Sequence, residues 1–381
     1  MNTTFTDRKD HMPTKFAALI SGKAFPAVFF MLCLLLTAFT SHVTVRACAS
    51  LLLPPWICTL IYVLFAGNML LMLYQRKWHS HFLCKALGFL RCFVIYYILW
   101  FFPCLIVALL PFVSNTIGAL CILFSFPASL LTVVIGYQNT RTVVTTQYDL
   151  TLKENGKPYR IALLSDIYLG HFVRGDHIKK VIKQVRQISP DIVVISGDLF
   201  DVSNSILEEK AVLKEISHLF RKLKARNGVF AVLGNHDPRA DDPRLKHFLK
   251  EANIRLLDDE TVEMADIILI GRTDNGNNKR SNWDDLAIPS SQKPMIVLDH
   301  KPQGIDEAAQ HGAALVLSGH THQGQFFPIT ILTKLANGKQ YFYGQRKLQK
   351  TYGITTSGVG FFELPMRLGT RNEIVDIRLK L

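Results

Sequence analysis

The chain has 381 residues, with 43 Lys and Arg against 30 Asp and Glu, a formal net charge of +13 and an isoelectric point near 9.4. This excess does not predict nucleic-acid binding, because residues 138–381 contain no basic block and the surplus within residues 1–137 lies between long apolar runs. Basic residues that flank apolar runs are typical of membrane proteins. We therefore expect a membrane as a partner and no polymeric nucleic acid.

Four uncharged apolar segments make up most of residues 1–137, and each is near the roughly 20 residues that a helix needs to cross a bilayer. They lie at 24–45, 51–73, 92–113 and 117–135. We predict an N-terminal bundle of four transmembrane helices, because four runs without a carboxylate do not fit core helices of a soluble protein. All 7 cysteines fall in this half, and without zinc-site spacing they are interpreted as small core residues.

The positive charges predict how this membrane domain is oriented. Four Lys or Arg precede the first segment and four more lie at 75–91, whereas the link at 114–116 has none. The positive-inside bias then predicts a multi-pass protein of the inner (plasma) membrane, with the N-terminus and everything after residue 135 in the cytoplasm. The stretch RACAS at 46–50 resembles a signal-peptidase site, and cleavage there would leave the other three segments unchanged.

The composition changes after residue 137. Residues 138–154 alternate apolar and polar side chains and an Asn-Gly pair follows, which predicts a connector with a β-hairpin. From 155 to 381, short and continuously apolar runs alternate with helical patterns. The helical patterns lie at 176–188, 206–226, 243–252 and 305–311. Strands of this kind are buried on both faces by crossover helices, so we predict an α/β domain.

Polar clusters follow five of the predicted strands. They are SD at 165–166, GDLFD at 197–201, GNHD at 234–237, DHKP at 299–302 and GHTH at 319–322. In α/β sheets, ligands bind outside the carboxyl ends of the strands, so we expect these side chains along one rim. Carboxylate, amide and imidazole donors without thiolates suit manganese, iron, zinc or nickel better than calcium or structural zinc. Each motif alone fits an ordinary turn, but five in this order indicate a metal site.

These five motifs resemble the pattern of the calcineurin-like metallophosphoesterases, which runs D-x-H, G-D-x-x-D, G-N-H-D/E, a lone His and G-H-x-H. The resemblance covers residues 155–381. The run LSGHTHQGQFFP and the tail with Arg-Leu-Gly and Glu-Ile before the last strand are similar to the bacterial, membrane-attached branch of that family. The resemblance implies a β-sandwich flanked by helices, with two metal ions at the strand ends.

The resemblance also implies a role for each residue. The implied ligands of two ions, divalent or of mixed valence, are Asp166, Asp198, Asn235, His300, His320 and His322. Asp198 would bridge the ions, Asp166 and His322 would hold the first, and the other three would hold the second. His236 would be catalytic beside the leaving-group oxygen, with Asp237 orienting its imidazole. Two such ions polarise phosphoryl oxygens and activate a bridging water.

Position 168 departs from the family pattern, which has His where this chain has Tyr168. Imidazole binds a divalent metal at pH 7, whereas a phenol must first lose a proton of pKa about 10. Five interpretations stay open: a weaker first ion completed by substrate, a tyrosinate on a harder ion such as ferric iron, His171 as the replacement ligand, an aromatic lid, or a site kept for binding alone. Because the other residues match, we expect hydrolase activity to be retained.

The sequence thus predicts a membrane-anchored, metal-dependent hydrolase that cleaves a phosphoester or pyrophosphate bond on the cytoplasmic face. Four spans exceed what tethering needs, so a lipid-linked or membrane-proximal substrate is favoured. The alternative is a membrane sensor or scaffold whose altered site binds a metal or a phosphorylated ligand without turnover. A transporter is disfavoured, because the apolar segments hold no acidic or basic residue in their cores.

Overall fold

Three long helices come first in the computed structural model, which describes residues 25–54, 56–57, 60, 63, 67, 81–277 and 279–381. They are α1 (Phe25–Ser50), α2 (His81–Ala108) and α3 (Asn115–Thr140). The turn at 109–114 joins α2 to α3. These two helices pack against each other, and α1 packs on both. Ser114 begins α3, because its side chain accepts a hydrogen bond from the Ile117 N–H (3.4 Å) that the first helical turn leaves unpaired.

Two of these helices, Phe82–Ala108 and Asn115–Thr140, are long and apolar enough to cross a membrane. The turn between them exposes large apolar side chains, among them Leu109 and Phe112. The prediction of four spans is met only in part. Helix α1 covers nearly all of the first predicted segment but is not one of these two, and the segment predicted at 51–73 lies mostly outside the described residues.

Helix α2 begins well before the apolar segment predicted at 92–113. The sequence suggested a loop at 75–91, because basic residues interrupt the apolar pattern there. In the structure the part from His81 onward is helical and lies against the folded domain: a Cβ added to Gly88 would be 2.5 Å from the Phe172 ring, and Arg91 is buried. A helix surface covered by protein can hold charged residues that lipid would exclude.

The first of two six-stranded sheets contains both ends of the α/β domain. In spatial order its strands are β1 (Val143–Thr151), β12 (Asn372–Lys380), β2 (Pro158–Leu164), β3 (Ile192–Ser196), β4 (Val229–Val232) and β5 (Arg255–Leu256). Strands β2 to β5 run parallel, and β12 is antiparallel to β2 and parallel to β1. The two central strands of this parallel set, β3 and β4, consist entirely of buried residues, all apolar except Ser196, as strands covered on both faces require.

The second sheet has the same size and a parallel centre. Its spatial order is β10 (Gly344–Leu348), β11 (Thr351–Thr355), β9 (Leu315–Ser318), β8 (Met295–Leu298), β7 (Ile268–Gly271) and β6 (Glu260–Glu263). The four inner strands are parallel, and the two edge strands are antiparallel to their neighbours. The carboxyl ends of β8 and β9 therefore lie at the same edge of this sheet.

The sheets pack face to face, and helices cover their outer faces. Alternate residues of β2 divide between the layers: Ile161 and Leu163 join the core between the sheets, and Ala162 and Leu164 join the core under the helices. The remaining described helices are α4 (Gly175–Ile188), α5 (Lys210–Phe220), α6 (Pro243–Ala252), α7 (Gly304–Gln310) and α8 (Ile329–Phe342). Helices α4 to α6 cover the first sheet and α7 the second. The predicted sandwich flanked by helices is confirmed.

The predicted β-hairpin is wrong. Strands β1 and β2 are joined through the Asn155–Gly156 turn but do not pair, because the C-terminal strand β12 lies between them and bonds to both. Local alternation and a turn signal cannot reveal a strand that arrives from the other end of the chain. Strand β12 buries most of its side chains and is bonded along both of its edges, to β1 and to β2. Residues 143–151 are consequently an edge strand of the sheet.

Buried apolar contacts join the long helices to the sandwich. Phe326 and Met366 pack with Cys92 and Tyr96 of α2 and with Val133 of α3. The Tyr96 hydroxyl also donates a hydrogen bond to the backbone carbonyl beside Phe326, that of residue 327. The two loops concerned, after β9 and before β12, belong to the C-terminal half of the domain. The helix pair is thus packed against the sandwich rather than tethered by a linker.

Hydrogen bonds at the end of α3 reinforce this joint. The backbone N–H of Arg367 donates to Gly136 O (3.0 Å), and the Asn139 amide donates back to Arg367 O (3.0 Å). The Asn372 amide donates to Thr140 O (2.6 Å). The last turn of α3 therefore gains partners for carbonyls that a helix end leaves unpaired.

The buried guanidinium of Arg367 fixes the loops beside this joint. It donates to the carbonyls of His322 (3.0 Å), Ser357 (2.7 Å) and Gly360 (2.5 Å), and to Asn372 Oδ1 (2.9 Å). Burial lowers the pKa of Arg367 to about 10, against the opposing charges of Asp166 and other acidic groups, so the side chain stays cationic at neutral pH.

We expect Arg367→Met to destabilise the protein by about 3 kcal/mol, because three buried carbonyls would lose their donor. The measurement is the thermal unfolding of the detergent-solubilised full chain. Arg371→Met is the matched control, since Arg371 lies in the same loop and is exposed. Equal melting temperatures for the two variants would contradict the bracing role of Arg367.

Candidate metal centre

The carboxyl ends of five parallel strands position the residues of the predicted site. Three of the turns follow β2, β3 and β4 in the first sheet, and two follow β8 and β9 in the second. The side chains on these turns are Asp166, Asp198, Asn235, His236, His300, His320 and His322. Because the sheets pack face to face, turns that are distant in sequence meet at one edge.

Asp166, Asp198 and His300 form the centre of the site. Each offers a ligand atom within 4.8 Å of the other two, and all three side chains are fully buried. Two unit negative charges at this separation repel each other by about 3.5 kcal/mol at an effective dielectric constant near 20. A cation bound between them would remove this repulsion.

His300 is held in the orientation that a metal ligand needs. Its Nδ1 lies 2.8 Å from the carbonyl of Ser196, which fixes Nδ1 as the hydrogen-bond donor. Its Nε2 then points to Asp198 Oδ2 at 3.2 Å. Hydrogen bonding of the outer ring nitrogen to a carbonyl is the usual way in which proteins orient histidines that bind metals.

His322 and Tyr168 occupy the other side of Asp198. The Tyr168 hydroxyl donates to Asp198 Oδ2 (2.6 Å) and lies 3.0 Å from His322 Nε2. The second ring nitrogen of His322, Nδ1, is 3.8 Å from Asp166 Oδ1. Burial, followed by the charges of Asp198 and Asp166, raises the pKa of Tyr168 well above its usual value, so the phenol is neutral. Tyr168 thus contacts two of the predicted ligands.

Buried polar atoms without partners test whether a metal ion fits this donor set. At this site, Asn235 Oδ1 and His322 Nδ1 are buried without a hydrogen-bond partner, and His300 Nε2 has only its charged contact with Asp198. Such atoms are rare in proteins because each costs the desolvation of a polar group. One amide oxygen and two imidazole nitrogens are donors that manganese, iron, zinc and nickel accept. The residues present therefore fit a transition-metal ion.

The remaining predicted ligand, His320, contacts the other site residues through both its ring and its backbone N–H. Its ring packs edge-on against His300 with centroids 5.1 Å apart, and its N–H lies 3.2 Å from each carboxylate oxygen of Asp166. Burial lowers the pKa of the His320 ring to about 3, so the ring is neutral and able to act as a ligand at pH 7.

The backbone at this site is strained. Five residues other than glycine have a positive φ here, at 52–70°: Asp166, Tyr168, Asp198, His320 and His322. L-residues adopt this region at a cost of about 1–3 kcal/mol each, and such strain collects at functional sites. Gly234 avoids a further clash, because a Cβ there would lie 2.1 Å from Asp198 Oδ1. The fold therefore maintains close approach of these turns at the expense of stability.

Burial and mutual charge determine the protonation of the central groups. Burial raises the pKa of Asp166 to about 7, although the charge on His300 opposes the shift. Burial lowers the pKa of His300, but the adjacent Asp198 carboxylate outweighs it and raises the value to about 10. In the metal-free protein His300 is therefore protonated and paired with Asp198. Binding of a metal must release that proton, so affinity for the metal rises with pH.

His236 lies at the site, but the expected partnership with Asp237 is not formed. The His236 N–H donates to Asp198 Oδ1 (3.1 Å) and its ring packs against Phe362. The Asp237 oxygens instead accept from the backbone N–H groups of Phe200 (3.0 Å) and Gly234 (2.9 Å). Asp237 thus links the turn after β3 to the turn after β4, because its carboxylate accepts from a buried backbone N–H in each.

His171 is not brought to the metal centre. Its ring nitrogen lies 3.4 Å from the Ser205 hydroxyl, and its backbone N–H lies 3.3 Å from Asp201 Oδ2. In the described structure the ring of His171 thus contacts Ser205, and its role as a replacement ligand stays a prediction. Tyr168 itself stands at the position beside Asp166, in direct contact with Asp198 and His322.

Phe362 is a site residue that the sequence reasoning missed. Its ring lies 4.9, 5.4 and 6.0 Å, between centroids, from the rings of His236, Tyr168 and His322. Its backbone N–H donates to Gln325 Oε1 (2.6 Å), which ties it to the turn after β9. An aromatic residue in a C-terminal loop gives no chemical signal of its own, so only the fold reveals it.

The sequence profile of the calcineurin-like phosphoesterases matches residues 159–324, the segment that carries all five turns. An uncharacterised metallophosphoesterase of Campylobacter jejuni is 30% identical over 296 residues, which span 74% of this chain and 76% of that protein. The chain belongs to the calcineurin-like phosphoesterase family. The family predicted from sequence is thereby confirmed, and it supports the predicted enzyme class, metal-dependent hydrolases of phosphoric esters, for this domain.

Two further relatives match over a smaller share of their own length. An uncharacterised metallophosphoesterase of Helicobacter pylori is 35% identical over 58% of this chain, and the chain spans about 60% of that protein's length. A transmembrane protein with metallophosphoesterase domain of Danio rerio is 31% identical over 60% of this chain and 55% of its own. Family membership therefore applies to the domain, and the activity of the whole chain is a matter for proposal.

We expect Tyr168→His to increase the affinity of the full chain for manganese about tenfold or more, since an imidazole binds at pH 7 where a neutral phenol does not. The measurement is a manganese titration with metal content per chain determined by mass spectrometry. Tyr168→Phe is the control, because it removes the hydroxyl and adds no ligand. No gain with His relative to Phe would mean that position 168 is not beside a metal ion.

Proposed function

We propose that this chain is a membrane-anchored phosphoesterase that hydrolyses a phosphoester or pyrophosphate bond at a centre of two metal ions. The convergence of Asp166, Asp198 and His300 within 4.8 Å carries this proposal. The partnerless atoms of Asn235 and His322 support a larger ligand set around them. Family membership supports the reaction class.

The proposed ligands divide between the two ions as the family pattern implies. Asp166 and His322 would hold the first ion, Asn235, His300 and His320 would hold the second, and Asp198 would contribute to both. Bound ions would neutralise phosphoryl oxygens and lower the pKa of a water so that it attacks phosphorus. The neutral Tyr168 hydroxyl keeps its hydrogen bond to Asp198, so the first ion binds more weakly than the second.

His236 is proposed to act at the leaving-group oxygen. Its ring is partly exposed, while the turn that carries it is fixed through the N–H contact with Asp198 and through the Asp237 brace. A positioned imidazole can donate a proton or a hydrogen bond to an alkoxide as the ester bond breaks. Phe362 packs against this ring and limits its motion.

The membrane placement is also part of the proposal. Two helices with the length and apolarity of membrane spans pack directly on the loops of the site, which supports a chain anchored so that its centre lies near the bilayer. The excess of basic residues before and between the apolar segments supports a multi-pass plasma-membrane protein with the catalytic domain in the cytoplasm. A phosphoester carried by a lipid is the substrate class that this arrangement favours.

A second candidate function is a sensor or scaffold that binds a phosphorylated ligand without turnover. The contact of Tyr168 with both Asp198 and His322 favours it, because these atoms are then engaged with a phenol instead of an ion. The proposals differ in one observable, which is hydrolysis by the metal-loaded chain.

The test is turnover of a soluble chromogenic phosphodiester by the full chain in detergent with added manganese. We expect Asp198→Asn to abolish turnover, and His236→Ala to lower kcat by 10²–10⁴ fold with metal content unchanged, because only the proton donor is lost. His247→Ala is the matched control, since His247 is exposed on α6. Turnover that survives Asp198→Asn would show that the proposed site is wrong.

Absence of turnover in the unmodified chain and in Tyr168→His alike would favour the sensor. This conclusion requires that both proteins bind manganese and unfold at the same temperature, so that misfolding does not explain the absence of turnover.

A further inference from the structure

Helix α8, which follows the site turn after β9, has an apolar surface that the sandwich does not cover. The exposed apolar side chains of this helix, together with that of Phe327 two residues before it, form what we call the α8 face: Phe327, Ile329, Ile331, Leu332 and Leu335. None of the residues of α8 is buried, and Leu335 and Ile331 are more than half exposed, at 55% and 51%. Contiguous apolar surface of this kind marks a site of association.

The helix is nevertheless firmly attached at its far end. The Thr321 hydroxyl donates to Phe342 O (2.6 Å), the Gln303 amide donates to Asn337 Oδ1 (3.0 Å), and the Tyr341 hydroxyl donates to Asp306. The exposed residues precede these anchors. The backbone leaves helical geometry at Gly338, so the bond between Gln303 and Asn337 is the anchor within the helical segment that carries the α8 face.

The α8 face begins where the long helices leave the sandwich. Phe326 packs between Met366 and residues Cys92 and Tyr96 of α2, and the Tyr96 hydroxyl donates to the carbonyl of Phe327. The next residues along the chain are those of the α8 face. The apolar surface of α8 is therefore continuous with the foot of the two membrane-spanning helices, where the surface of a bilayer would lie.

The charge of this region suits an anionic surface. No Asp or Glu occurs between Glu307 and Glu363, a stretch that includes α8 and the strands β10 and β11. The basic residues in it are Lys334, Lys339, Arg346, Lys347 and Lys350. Both lysines of α8 are exposed. An apolar helical face with lysines and no carboxylates is typical of helices that lie in the headgroup layer of anionic membranes.

We infer that α8 is an interfacial helix, which inserts the α8 face into the headgroup region of the same bilayer that α2 and α3 cross. Such helices bury their apolar side about 5–10 Å into the boundary between headgroups and acyl chains. His322 lies on the turn that leads into α8, so this insertion brings the metal centre to the level of lipid phosphates. Resting on the proposed function, this assigns the substrate to phosphoesters of membrane lipids.

The test measures the depth of α8 in the full chain, reconstituted in phosphatidylcholine–phosphatidylglycerol vesicles. Leu332→Trp places a fluorophore on the α8 face, and brominated phosphatidylcholine quenches tryptophan that contacts acyl chains. The 4 native tryptophans give the same background in every variant. Lys246→Trp is the matched control, because Lys246 is exposed on α6, which covers the first sheet.

We expect the added tryptophan at 332 to be quenched at least about twofold more than that at 246, because only the former would reach the acyl boundary. Replacing phosphatidylglycerol by phosphatidylcholine should reduce the difference, since the lysines lose their anionic partners. Equal quenching at both positions overturns the inference. The inference is also overturned if the tryptophan at 332 is not quenched and the chains cross-link through α8. That result would make the α8 face a contact between copies of the chain.

A charged variant separates this inference from the proposed function. Ile331→Asp with Leu335→Asp should abolish the quenching at 332 and leave turnover of the soluble phosphodiester in detergent unchanged, since neither residue contacts the metal centre. If quenching occurs but the chain hydrolyses no soluble phosphodiester, the proposed function fails and the interfacial helix stands. If turnover occurs without quenching, the interfacial helix fails alone.

Discussion

Two buried carboxylates, those of Asp166 and Asp198, share the edge of the sandwich with His300, and the rest of the site is organised by the need to compensate them. The protein alone compensates them in part, through a protonated His300, the Tyr168 hydroxyl and the N–H groups of His320 and His236. Two further donor atoms, Asn235 Oδ1 and His322 Nδ1, remain without partners. A bound cation would neutralise the excess negative charge and give the unpaired neutral donors a partner. Backbone strain at such a site is consistent with a functional role.

The strain is carried by the two sheets and their covering helices. Left-handed backbone at Asp166, Asp198 and three neighbours costs several kcal/mol in total, which apolar strands buried on both faces can offset. The loops are further fixed by Arg367 and Asp237, whose hydrogen bonds run mostly to backbone groups. A residue in a catalytic motif can therefore have a structural role, as Asp237 does when it accepts hydrogen bonds from backbone N–H groups.

The same loops connect the site to the long N-terminal helices. Arg367 binds the turn that carries His322 and is itself bonded through its backbone to α3, while Phe326, just beyond that turn, packs on α2. Metal centre, long helices and α8 are thus parts of one packed unit. Under the proposed membrane anchoring, packing instead of the length of a linker would fix the position of the catalytic edge relative to the bilayer.

The sequence by itself determined the family, the α/β sandwich and the candidate residues for a metal centre, because those properties depend on local patterns: apolar strands, each followed by Gly, Asp, Asn or His. Only the tertiary structure decided which residues meet across long separations. It inserted β12 between β1 and β2, extended α2 into a region that the charges had suggested was a loop, turned Asp237 away from His236, and placed Tyr168 rather than His171 beside Asp198. Strand order, burial of a charged helix surface and the direction of a side chain all depend on packing between distant segments, and no local pattern encodes them.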